Sequence, residues 1–172
     1  GQPLYERLGF LPLDQVHIYQ GGGLHPPLPP PQGVRLVQQA DLPALAAADR
    51  RIFGTDRSRV LRLLLDANPG RAFMVQGTAA EVEGYVIAQP GRIGPWVATS
   101  PPAAQMLLQA VLSLPYLAPP TVAVPAENPQ AASLLAGSGF QPVRHNRHMV
   151  RGLAPTGGSR CQVYAQASLS IG

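Results

Sequence analysis

The 172-residue sequence holds 13 arginines and no lysine, 9 acidic residues and a net charge of +4, with 45% of its residues hydrophobic. That supplies one core of ordinary domain size, and no apolar run approaches the roughly 20 residues a membrane-spanning helix needs. The amino terminus has no secretory pattern, so a cytoplasmic location is the default expectation. The arginines are dispersed and no basic stripe is interleaved with aromatics, which argues against a nucleic-acid partner. Cys161, the one cysteine, excludes an internal disulfide.

In chain order, residues 1–20 read as a helix end, a Gly-Phe turn and a strand marked by Val16 and Ile18. The run Leu4-Tyr5-Glu6-Arg7-Leu8-Gly9-Phe10-Leu11-Pro12-Leu13 returns 130 positions later as Leu134-Leu135-Ala136-Gly137-Ser138-Gly139-Phe140-Gln141-Pro142-Val143. An offset of one domain length leads us to expect that residues 1–20 are the tail of a preceding domain. Residues 21–32, with Gly21-Gly22-Gly23 and the prolines that follow, read as a linker. Residues 33–172 then form a domain of their own.

That domain opens with a strand at 34–38 and a helix capped by Asp41, followed by a second helix that Thr55 or Asp56 caps and that runs to Asn68. Extended segments follow at 71–76, 82–89 and 92–98, the middle one apolar on both faces and hence central. A helix at 101–114 carries prolines in its first turn, and Thr121–Val124 reads as a buried strand. A helix from Asn128 to Gly137 leads into a strand from Phe140 to Val150. The last segment alternates Val163, Ala165, Ala167, Leu169 and Ile171 with polar residues, the pattern of a strand with one buried face. His145 and His148, at odd spacing on one strand, fall on opposite faces, so no metal site is expected.

The element order, together with Asn128, Ala131, Leu134, Gly139 and Phe140, resembles the GNAT superfamily of acyl-CoA N-acyltransferases. The segments Phe53-Gly54-Thr55-Asp56-Arg57 and Ile93-Gly94-Pro95 are similar to those of a subgroup with two GNAT domains in tandem. The resemblance implies an α/β (α+β) fold, a mixed and mostly antiparallel twisted sheet flanked by helices. It also implies acetyl-CoA as acyl donor and a small amine as acceptor, with no metal. The donor would lie where the strands at 92–98 and 121–124 splay apart, its pantetheine added like a strand and its pyrophosphate at the next helix N-terminus. Val97, Ala98, Thr99, Ser100 and Asn128 are the residues this places at the cofactor. The family's glycine loop is replaced by Ala98-Thr99-Ser100-Pro101-Pro102, where two prolines remove two donors.

Many members carry a Tyr that protonates the departing thiolate; the second copy of the repeat has Leu135 there and the first has Tyr5. Tyr5 is therefore the candidate general acid, for the preceding domain. Asp49 falls on the apolar stripe of its helix, where a lone carboxylate is costly, so it must meet a partner or line a cleft. Asp49, Asp56, Arg57, Tyr85 and Trp96 are the candidates for contacting an amine; Asp56 as a helix cap with Arg57 beside it is the structural alternative. Glu81 and Glu83 are possible bases that nothing assigns. Two functions stay open: an N-acetyltransferase acting within a tandem protein, and a catalytically silent GNAT-like domain for recognition, dimerisation or regulation. The apolar strand in residues 1–20 is expected to dock onto the domain or to pair with a second copy in a homodimer.

Overall fold

A computed structural model describes residues 2–21, 29–78, 81–152 and 158–169. The chain runs α1 (Gln2–Arg7), β1 (Phe10–Gln20), β2 (Val34–Leu36), a 3-10 turn (Gln39–Asp41), α2 (Leu42–Phe53), α3 (Ser58–Ala67) and β3 (Ala72–Gln76). It continues through β4 (Val82–Gln89), β5 (Arg92–Ala98), α4 (Pro101–Leu112), β6 (Thr121–Pro125), α5 (Pro129–Gly137), β7 (Gln141–Arg151), a second 3-10 turn (Arg160–Gln162) and β8 (Val163–Ala165). The strands form one sheet in the order β2-β3-β4-β5-β6-β1-β7, with β8 set against β5. All pairs are antiparallel except β5 and β6, which run parallel and touch only at Arg92–Thr121 and Ile93–Val122. This is the mixed, mostly antiparallel sheet flanked by helices that the sequence leads one to expect.

Alternation along the central strands builds two cores. Met74, Tyr85, Ile87 and Val97 turn toward Leu45 and Ile52 of α2 and Leu61 of α3. Val86, Ala88, Trp96 and Ala98 turn the other way, toward Leu107, Leu108 and Val111 of α4 and Leu135 of α5. A strand covered on both faces must be apolar on both, which is why β4 lacks a polar side.

Residues 10–20 dock as a full strand between β6 and β7, burying Val16 and Ile18 against Ala123. Most of the expected linker, residues 22–28, lies outside the described residues. In β7, His145 faces His17 across the ladder and His148 faces Asp14. Among the described residues no group of three or more His, Cys, Asp or Glu is arranged to hold a metal ion, and no helix is long and apolar enough to cross a membrane.

Three expectations change. The first strand stops at Leu36. Asp41 does not cap α2: its carboxylate accepts two bonds from Arg35, both 2.7 Å, and one from the Gln38 N–H, closing the 3-10 turn that leads into the helix. A bidentate guanidinium outcompetes a lone backbone amide for the same oxygens. The final strand is covered on both sides, because Val163, Tyr164, Ala165, Gln166 and Ala167 are all buried. Its polar alternates are absorbed by the fold, since the Tyr164 hydroxyl donates to Gln130 Oε1. Residues 170–172 lie outside the described residues.

The Arg35 hydrogen bonds hold the Asp41 carboxyl below its ordinary 3.8. A depressed carboxyl stabilises the fold above its unfolded value and loses that contribution as pH falls through the folded one. Arg35 is 41% exposed, so solvent screening limits the pair to about 0.5–1 kcal/mol. Asp41→Asn is expected to cost that amount in urea denaturation at pH 7 and measurably less at pH 3, below the carboxyl's ordinary value. An equal deficit at both pH values would refute it.

Candidate functional site

Two places hold the residues singled out from sequence. The first is the gap between β5 and β6. After Ile93–Val122 the two strands diverge, and the chain's own C-terminal segment enters the space. Trp96 pairs with Ala165 and Val97 with Val163. On the other side the Gln166 N–H donates to the Ala123 carbonyl at 2.9 Å. Gln89 Nε2 and Arg92 Nη1 both donate to the Ala167 carbonyl, at 3.0 and 3.2 Å. Asn128 caps α5 by accepting from the Ala131 N–H and with its other end donates to the Val163 carbonyl at 3.1 Å.

The segment is anchored before it enters the gap. The Ser159 N–H donates to the Ile52 carbonyl, and Arg160 bridges Asp14 at 2.6 Å and Glu127 at 3.1 Å. Within the gap, Gly94 has a φ of +143°, and a Cβ there would fall on the Gln166 carbonyl oxygen. The missing side chain is what lets the two backbones approach.

At the helix end of the gap no donor is spare in the first turn of α4. Pro101 and Pro102 have none, the Ala103 N–H goes to the Ser100 hydroxyl, and the Ala104 N–H to the Ser100 carbonyl. The Thr99 N–H is bound to the Glu83 carbonyl at 2.8 Å. Of the five residues expected at the cofactor, Val97 and Asn128 meet the inserted segment at Val163, whereas Ala98 and Thr99 bond to β4 at Gly84 and Glu83 and Ser100 caps α4. A pantetheine chain needs an open strand edge and a pyrophosphate needs free amides. The residues present do not fit acetyl-CoA in that placement.

The second place is a buried cluster on the α2–α3 side of the sheet. Both Asp49 oxygens are taken, by Arg57 Nε at 3.0 Å, Arg57 Nη2 at 2.7 Å and the Tyr85 hydroxyl at 2.6 Å. Asp49 and Tyr85 are fully buried, and the Arg57 guanidinium lies over the Phe53 ring, 3.4 Å from its centre. Burial, then the Asp49 charge, pushes the Tyr85 phenol well above its ordinary value, which keeps it a hydrogen-bond donor. The partner that the apolar setting of Asp49 required is this pair. The cluster ties α2, the start of α3 and β4 together and leaves the carboxylate saturated.

The other candidates stand apart. Trp96 is buried on the opposite face, its ring 4.9 Å from that of Tyr164. Asp56 is on the surface, accepting from the Ser58 N–H as α3 begins. Tyr5 is 48% exposed and meets only the Phe10 ring edge-on among the aromatic contacts. That the segment carrying β8 enters the β5–β6 gap, tethered by Gln89 and Arg92, escapes sequence reasoning. Gly94 was the available signal, since a glycine inside a strand marks close approach of another backbone.

A sheet of this order, with helices on both faces and a parallel pair that splays, defines a GNAT-type acyltransferase fold. The chain belongs to that family: the profile described as "Acetyltransferase (GNAT) domain" matches residues 45–165. It is similar to the crystal structure of a candidate acetyltransferase from Pyrococcus horikoshii, with 25% identity and a TM-score of 0.79 over 100% of this chain and 57% of that one. A GCN5-related N-acetyltransferase from Sphaerobacter thermophilus matches at 19% identity and a TM-score of 0.62, over 92% of this chain and 58% of that one. A candidate GNAT-family acetyltransferase from Novosphingobium aromaticivorans matches at 14% and 0.61, over 84% of this chain and 69% of its own. The chain therefore spans less than two thirds of the first and second of these relatives. No curated protein sequence is significantly similar to it.

Proposed function

We propose that this chain is the catalytically silent GNAT unit of a longer acetyl-CoA-dependent N-acyltransferase. Acyl transfer to a small amine takes place in a preceding unit, to which Tyr5 belongs as general acid. The observation that carries this reading is the β8 segment in the β5–β6 gap, where its peptide groups make the contacts an acyl donor would need. The proline-blocked turn at Ser100 and the apolar Leu135 at the acid's position point the same way. The Asp49–Arg57–Tyr85 cluster, closed and saturated, is in this reading a structural clamp for the silent unit.

The test is calorimetric titration of the 172-residue chain with acetyl-CoA, and with free coenzyme A in parallel. No heat of binding is expected up to millimolar ligand, about −4 kcal/mol or weaker. Micromolar binding of either ligand would overturn the silent reading and make this gap an active site.

A further inference from the structure

The ladder between β1 and β7 has a two-fold centre. Val16 pairs with Asn146, and these two residues are themselves 130 positions apart, the offset of the sequence repeat. Every pair to one side of them except the outermost, Phe10–Arg151, has its image on the other. Gln15–Arg147 maps onto His17–His145, Asp14–His148 onto Ile18–Arg144, Pro12–Met149 onto Tyr19–Pro142, and Leu11–Val150 onto Gln20–Gln141. The irregularities map as well, because Leu13 is the residue skipped in β1 and Val143 the one skipped in β7. Matched bulges mean that two equivalent strands were shaped for each other.

The helices before them are also equivalent. Both α1 and α5 lead into a left-handed glycine, Gly9 at φ +81° and Gly139 at +82°, and then a phenylalanine. They differ in what covers them. Leu135 is fully buried, whereas its counterpart Tyr5 is 48% exposed, and α1 buries none of its residues. A helix of this pattern with its apolar side uncovered lacks its own core. The strand edges differ in the same way: β1 has β6 on its far side, and among the described residues β7 ends the sheet.

From this symmetry we infer that the open edge of β7 is the docking site for a strand of a second GNAT unit, carried by the same polypeptide upstream of Gly1. The two-fold fixes the register. β6 pairs with β1 antiparallel, with Val16 opposite Pro125, Ile18 opposite Ala123 and Gln20 opposite Thr121. The incoming strand therefore lies antiparallel to β7, with its equivalents of Pro125, Ala123 and Thr121 opposite Asn146, His148 and Val150. Each unit then donates the strand after its last helix to the other's sheet, and one sheet runs through both. The inference rests on the tandem arrangement in the proposed function and adds where, and in what register, the units join.

Amide hydrogen exchange across β7 tests it, comparing the 172-residue chain with the protein translated from the full gene. Alternate amides between Asn146 and Val150 are expected to exchange at least about 100-fold more slowly in the longer protein. Equal exchange in the two would overturn the inference. So would a gene encoding no second unit upstream, or β7 protection in the short chain that rises with concentration alongside a dimer mass, since the occupant would then be a second copy. Binding of acetyl-CoA to the short chain would sink the silent reading while leaving this result untouched, so the two failures are distinguishable.

Discussion

Gly94→Val is expected to destabilise the chain by about 2–5 kcal/mol, the sum of a side chain forced into a positive-φ conformation and overpacking against a fixed backbone. The added Cβ meets the Gln166 carbonyl, whose position is fixed by the Gln166 N–H bond to Ala123 and by the tethers on Ala167. One of the two backbones must leave, and the shorter β8 segment is the one held by fewer pairs. The variant should therefore show a lowered urea midpoint and new protease cleavage within residues 158–169. Gly91→Ala is the control, because a Cβ there meets nothing within 4 Å, and it should fall within about 0.5 kcal/mol of the parent. Indistinguishable midpoints for the two variants would mean that β8 does not occupy the gap in solution.

Asp49→Ala is expected to cost about 3–5 kcal/mol, the range for breaking a buried ion pair by removing one partner. It takes away the carboxylate to which both Arg57 and Tyr85 donate. The desolvation already incurred by the guanidinium then goes uncompensated. Replacing all three together, Asp49→Leu with Arg57→Met and Tyr85→Phe, should recover most of the loss, since an apolar cluster needs no counter-charge. Denaturation midpoints of the single, paired and triple variants would give the coupling. A single-variant loss below about 1 kcal/mol would show that the cluster is not a clamp and reopen a binding role.

Most of the element order is legible in the sequence because burial on one or both sides writes itself into period and composition. The double-faced pattern of β4, the proline-started α4 and the helix–Gly–Phe–strand device of α5 and β7 all carry local signals. The Asp49 partner was legible in part, as a carboxylate on an apolar stripe demands one. That the partners are Arg57 and Tyr85, with Trp96 on the other side of the sheet, follows only from register. Tyr85 pairs with Val97 and Val86 with Trp96, so neighbours in sequence part to opposite cores.

The alternation in residues 163–171 misled for a related reason. Period two reports that side chains take turns facing two ways, and it says nothing of what lies on either side. Over 163–167 the segment enters a sheet already covered by helices, so Tyr164 and Gln166 are buried with the apolar alternates, whereas Leu169 is exposed.

The sequence by itself determined the fold class, the two related helix–strand units and the loss of backbone donors at Pro101 and Pro102. These depend on residue type and local spacing. Only the tertiary structure decided that the C-terminal strand fills the β5–β6 gap, and that β1 and β7 meet about a two-fold centre at Val16 and Asn146. Both are pairings between segments distant in the chain, and backbone hydrogen bonds, which every residue but proline can make on either side, leave no mark of their partner in the sequence.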